Sequence, residues 1–125
     1  MTVLVAYNES PQGAAAFAAA VEEAQRRATT LTTLVLTPQP DDAPVPSTLS
    51  ALISEYGQEV AIAFRSDRID VADAILDHAD QVGAELIVLG SRKRTPVGKF
   101  LLGSTTQRVL LDSTAPVLEV KADGA

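Results

Sequence analysis

A doubly wound α/β sandwich, with a parallel sheet between two layers of helices, is the fold this sequence predicts. Three observations lead there. Five short apolar runs alternate with four helical stretches, a spacing that calls for crossover connections between parallel strands. The first run, Val3-Leu4-Val5-Ala6-Tyr7, shows no polar alternation, as expected of a strand covered on both faces. With 125 residues and no internal repeat, the chain reads as a single domain over residues 1–125.

Each element has its own signal. After the first strand, Ser10 is placed to cap a helix and Pro11 suits its first turn. That helix is expected to run to about Ala28, with Ala14, Phe17, Val21, Ala24 and Ala28 as its apolar stripe. Glu22–Arg26 and Glu23–Arg27 would pair across it. Leu31 to Leu36 is a second strand, and the four prolines between Thr37 and Pro46 enforce a loop. A helix over Ser47 to Gln58 carries Leu49, Leu52, Ile53 and Tyr56 on one stripe, and Val60 to Phe64 is a third strand. Asp70 caps a third helix whose stripe is Val71, Ala74, Ile75 and Val82, and Gly83 closes it. Leu86 to Leu89 is the fourth strand. A final helix opens at Ser104, where Ser104 and Gln107 match a capping box, and Pro116 leads into a last strand, Val117 to Val120.

Composition narrows the functional classes. Hydrophobic residues make up 46% and charged residues 21%, the balance of a packed domain rather than a disordered one. There is no cysteine, hence no disulfide framework and no thiolate nucleophile or metal ligand. No basic leader and no apolar run of spanning length is visible, so a soluble cytoplasmic protein without a membrane role is expected. The net charge of −6 argues against nucleic acid as a partner. Charge is unevenly placed, however. From Leu86 through Leu111 there is no acidic residue, yet Arg92, Lys93, Arg94, Lys99 and Arg108 fall there, half of all the basic residues.

In doubly wound sheets, ligands bind beyond the C-terminal ends of the strands where strand order reverses. The informative loops therefore leave the first and fourth strands. The second of these reads Gly90-Ser91-Arg92-Lys93-Arg94 through Gly103-Ser104-Thr105-Thr106-Gln107. Free amides and the positive dipole end at Gly103, Ser104 and Thr105 would attract a phosphate, reinforced by the nearby cations. The plainer alternative makes the glycines turns, Ser104 a simple cap and the basic side chains a solvated rim.

Gly90 followed by Gly103-Ser104 matches the first and third parts of a G-x2-G-x9-G-[S/T] pattern. With the opening Val3-Leu4-Val5-Ala6-Tyr7-Asn8-Glu9-Ser10 and the ending Ala115-Pro116-Val117-Leu118-Glu119-Val120, the chain resembles the universal stress protein family over essentially its full length. The resemblance implies a five-stranded parallel sheet in the order 3-2-1-4-5. It also implies a nucleotide site for ATP or another adenine nucleotide, with Mg²⁺. The base would lie between Ala6–Asn8 and the backbone around Leu36, and the phosphates toward Gly90, Lys93, Gly103, Ser104 and Thr105, with Arg92 and Arg94 alongside. Two positions differ from the pattern. Lys93 stands at the middle glycine, where it offers an ammonium to phosphate, and Asn8 stands where nucleotide-binding members commonly carry Asp.

Two functions of different class follow: a nucleotide-binding stress or regulatory protein, and an interaction protein of the same fold without nucleotide. An enzyme is disfavoured, because phosphoryl chemistry wants a metal-binding carboxylate near the phosphates and the acid-free window supplies none; Glu9 is the nearest candidate. His78, with Asp77 and Asp80, and the spaced Asp70 and Asp73 read as a solvated helix face rather than a catalyst or metal site. In the family's strand order Val117–Val120 is a sheet edge guarded only by Glu119 and Lys121, and the resemblance implies a homodimer through it.

Overall fold

A computed structural model describes residues 1–39, 43–90 and 103–121. The elements run β1 (Thr2–Tyr7), α1 (Pro11–Arg26), β2 (Thr30–Val35), α2 (Ser47–Tyr56), β3 (Val60–Phe64), α3 (Val71–Val82), β4 (Ala84–Gly90), α4 (Ser104–Asp112) and β5 (Val117–Val120). All strand pairs are parallel and their order is β3-β2-β1-β4-β5, as expected. Chain order reverses between β1 and β4, and a switch point is thereby created at their C-terminal ends.

The lack of polar alternation in β1 has a direct explanation. Val3, Val5 and Tyr7 point into a core shared with α1 and α2, around Phe17, Ala20 and Leu49. Leu4 and Ala6 point the other way, into a core shared with Ile75 of α3 and Val109 of α4. Strand β4 repeats the division, with Leu86 and Val88 on the first face and Ile87 and Leu89 on the second. The one Thr that β1 buries, Thr2, has its hydroxyl satisfied by Thr30 O at 2.9 Å.

Several element details differ from the expectation. Helix α1 stops at Arg26, and Ala28 takes a left-handed φ of 53° in the turn that follows. Its buried stripe is Gly13, Ala16, Phe17, Ala20 and Ala24, so Ala14 and Val21 lie at the margin. Glu23 takes both arginines, Arg26 at 2.6 Å and Arg27 at 3.3 Å, in place of the expected Glu22–Arg26 pair. Helix α2 ends at Tyr56 because Gly57, at φ 76°, turns left-handed and donates its N–H to Ile53 O. Helix α3 behaves as expected at both ends: Asp70 accepts from the Ala72 N–H at 3.1 Å, and Gly83 adopts φ 65°. Its inner face uses Ala72 and Ala79 beside Ala74 and Ile75, while Val82 is only half-buried.

Strand β5 forms one edge of the sheet, held by the Ile87 N–H donating to Pro116 O at 3.0 Å. Among the described residues the Glu119 carboxylate has one oxygen buried without a hydrogen-bond partner. Burial raises its pKa, and Lys121 pulls it partly back. Folding thus binds this proton more tightly than the unfolded chain does, and stability from this residue falls as pH rises from the ordinary carboxylate pKa through the raised one. No described helix is long and apolar enough to cross a membrane.

Candidate functional site

The C-terminal ends of β1, β2, β3 and β4 open into a cleft of about 470 Å³ at the switch point. Its floor is Ala6, Leu89 and Gly90, where the two central strands end. One wall is apolar, from Val71 and Ile75 on α3. A second comprises Leu36, Thr37, Pro38 and Arg65, which follow β2 and β3. The third carries Asn8 with Gln12 and Gly13 of the first turn of α1, and Gly103, Thr105 and Thr106 close the side formed by α4.

Of the residues expected at a ligand, the structure brings together Ala6, Asn8, Leu36, Gly90, Gly103 and Thr105. Ser104 does not line the cleft; it is an exposed residue that opens α4. Arg92, Lys93 and Arg94 lie outside the described residues, as does Lys99.

The capping box at Ser104 is corrected by the geometry. Gly103 is the N-cap, at φ −67° and ψ 159°, its carbonyl accepting from the Gln107 N–H at 3.0 Å, and among the described residues no side chain caps the helix. A glycine cap costs little relative to serine. It also leaves the first-turn amides without a side-chain acceptor, beside an open cleft. The backbone angles suit any residue, so glycine here contributes only the lack of a side chain beside the first-turn amides.

Asn8 is more constrained than its sequence position suggested. The Ser10 hydroxyl donates to Asn8 Oδ1 and accepts from the Gly13 N–H at 3.0 Å, and the Ser10 N–H donates to Asn8 O at 2.9 Å. With its side-chain oxygen so engaged, Asn8 has its amide N–H donors left for the cleft. Leu36 is similarly committed. Its N–H donates to Tyr7 O at 2.8 Å, and its carbonyl accepts from Arg65 Nε at 2.8 Å. The polar groups open to the cleft on this side are therefore those from Thr37 onward and Arg65, rather than free groups on Leu36 itself. Glu9 faces the opposite side of the sheet, where the Thr48 hydroxyl donates to it at 2.9 Å; it does not line the cleft.

Arg108 is also corrected. Counted by sequence among the cations of the acid-free window, it is neutralised in space by Asp70 at 3.4 Å, Asp73, and Asp112 at 3.6 Å. The hydrogen bond and charge of Asp73 chiefly hold its pKa above the ordinary arginine value. Asp70 and Asp73 are therefore ion-pair partners across two helices, not merely a solvated face.

Sequence reasoning missed Arg65, Gln12, Gly13, Val71 and Ile75 as cleft residues. Arg65 was findable, because it follows β3 as Asn8 follows β1, at the same end of the sheet. Gly13 carried a signal too: a glycine in the first turn of an alanine-rich helix runs against propensity and marks a close approach. In space, a Cβ on Gly13 would sit 1.9 Å from Asn8 O, and one on Gly90 would sit 2.5 Å from Gln12 O.

Comparison with known proteins bears on this arrangement. Residues 1–121 match the model of the universal stress protein family. A universal stress protein of Mycolicibacterium smegmatis is 37% identical over 130 aligned positions, covering 98% of each chain. The structure of a universal stress protein from Archaeoglobus fulgidus superposes with a TM-score of 0.78 at 27% identity, covering 97% of this chain and 98% of that one. Another structure from that organism, solved in complex with dAMP, shares the fold with a TM-score of 0.68 at 22% identity, covering 97% and 98%. By sequence over its full length and by strand order alike, this chain belongs to the universal stress protein family.

Proposed function

We propose that this protein is a stress-response regulator of the cytoplasm that binds ATP or another adenine nucleotide, with Mg²⁺, and acts through the bound state rather than by turnover. One observation supports this above the others: the N-terminus of α4, capped by glycine and without a side-chain cap among the described residues, borders a cleft at the switch point between β1 and β4. First-turn amides and the helix dipole suit a phosphate. Across the cleft, Ala6, Val71 and Ile75 offer an apolar seat for a base, with Arg65 and the Asn8 amide supplying donors at its rim. In this reading Gly90, Gly103 and Thr105 carry the phosphates, Ser104 through its backbone N–H alone, and Arg92, Lys93 and Arg94 add charge. The dAMP-bound relative supports an adenine nucleotide as the ligand class.

Calorimetry with ATP and Mg²⁺ is expected to show saturable binding. Gly103→Val should weaken it about tenfold or more, since a branched side chain would stand between the amides and the phosphate. Absence of heat at millimolar nucleotide would sink the proposal in favour of an interaction protein that holds no nucleotide.

The partner in this proposal is a second copy of the chain, paired through β5. Pro116 O is bonded inward to Ile87, and in a parallel ladder Leu118 and Val120 then face inward too, so Val117 and Glu119 present their backbone groups outward. An apolar edge of this kind is a template for a further strand. Sedimentation should find a dimer for the wild type and a monomer for Glu119→Pro, which removes an outward N–H at an edge position. A monomeric wild type contradicts this assembly.

A further inference from the structure

The two helical walls of the cleft, α3 and α4, are tied by one polar side chain besides the apolar packing around Val109. Arg108, on the second turn of α4, reaches Asp70 and Asp73 at the start of α3 through Nη1 and Nη2, and Asp112 of its own helix through Nε. Asp70 is the N-cap of α3, with Oδ2 accepting from both the Ala72 N–H at 3.1 Å and Arg108 at 3.4 Å. Val71 and Ile75 on the same helix line the cleft, as do Gly103, Thr105 and Thr106 at the head of α4. Among the described residues, the apolar packing of α4 centres on Val109, set against α3. Val109 is its only buried residue, while Leu110 and Leu111 are 42% and 83% exposed. Apolar packing supplies one anchor and the arginine supplies a second.

We infer that Arg108 is a positioning residue for the nucleotide. It sets the distance between the α3 wall and the phosphate-binding turn of α4, and it does not itself contact phosphate. The inference rests on the proposed nucleotide site and assigns that site a control from behind. It runs against the sequence pattern, in which Arg108 looks like one more cation offered to the anion.

The two roles predict opposite signs for the same substitution. If Arg108 were a phosphate ligand held back by carboxylates, Asp73→Asn would release it and tighten binding. As a positioning residue, Arg108 needs Asp73, so Asp73→Asn weakens binding. Calorimetry with ATP and Mg²⁺ on folded proteins, with circular dichroism at the assay temperature, should show a loss of about three- to tenfold for Arg108→Gln and for Asp73→Asn. The reciprocal exchange, Arg108→Asp with Asp73→Arg, should recover most of that loss, which a direct phosphate contact would forbid. Hydrogen exchange supplies an arm that needs no ligand: the amides of Val109, Leu110 and Leu111 should exchange faster in Arg108→Gln while those of α1 stay unchanged. Tighter or unaltered binding by Asp73→Asn, or unaltered exchange in α4, overturns the inference. A wild type that binds no nucleotide, with faster α4 exchange in Arg108→Gln, overturns the nucleotide reading and the role assigned to Arg108 within it, but leaves the clasp between the helices standing.

Discussion

Gly13→Ala is expected to destabilise the fold by about 2 kcal/mol or more, the reverse of what helix propensity predicts. In an ordinary helical position, alanine gains about 1 kcal/mol over glycine. Here its Cβ would fall 1.9 Å from Asn8 O, 2.8 Å from Asn8 Oδ1 and 2.9 Å from the Asn8 carbonyl carbon. Two of those atoms are backbone, so no rotamer change relieves the overlap. The turn between β1 and α1 must move. Overpacking of a well-filled site typically costs about 1–3 kcal/mol, more where backbone is displaced, and this outweighs the propensity gain. The turn cannot give way freely, because α1 is pinned from the other side as well: the Gln12 backbone lies against Gly90, where a Cβ would be 2.5 Å away. Since Asn8 borders the cleft, the same variant should also weaken nucleotide binding, joining a stability loss to a functional one. Urea denaturation alongside calorimetry checks both. An unchanged or raised midpoint would show that the first turn of α1 does not need its close approach.

That approach marks the boundary of what the sequence made legible. The two-sided burial of β1, the Ser10 and Asp70 caps and the Gly83 stop follow from local chemistry, the strand order from the family resemblance, and each stands as expected. The position of the site was legible for the same reason, because topology alone sends ligands to the ends of β1 and β4. What local chemistry left open was who partners whom across the fold. Arg108 reads as a cation in an acid-free window until the third helix brings Asp70 and Asp73 beside it, 38 and 35 residues earlier in the chain. Arg65 reads as a strand-end residue until its guanidinium is seen holding Leu36 O at 2.8 Å and Ile69 O at 2.6 Å. The capping box failed on a smaller scale. Ser104 and Gln107 have the right spacing, but Gly103 already sits in extended backbone one residue earlier and takes the cap position.

Phe17→Ala should produce the largest loss of stability, and a loss that leaves the cleft intact. Phe17 is 2% exposed on the inner face of α1, in the core that holds Val3, Val5 and Tyr7 of β1 with Leu86 and Val88 of β4. Truncating a buried phenylalanine costs about 3–5 kcal/mol, combining lost transfer energy with a cavity that the sheet cannot collapse to fill. Domains of this size have about 5–15 kcal/mol in total, so roughly a fifth or more of the stability is at stake, equivalent to roughly 10–20 °C in Tm. The side chain belongs to the layer on the α1 and α2 side, whereas Val71, Ile75 and the head of α4 lie on the other. Ligand affinity should therefore hold while the midpoint falls. A ligand at a hundred times its Kd returns about 2.7 kcal/mol by mass action. ATP added to Phe17→Ala should thus recover more than half of a loss near the middle of that range, read as a concentration-dependent rise in Tm. If ATP raises the midpoint of the wild type but not of Phe17→Ala, the two layers are coupled, and the site depends on the packing of α1 as much as on the turn that Gly13 allows.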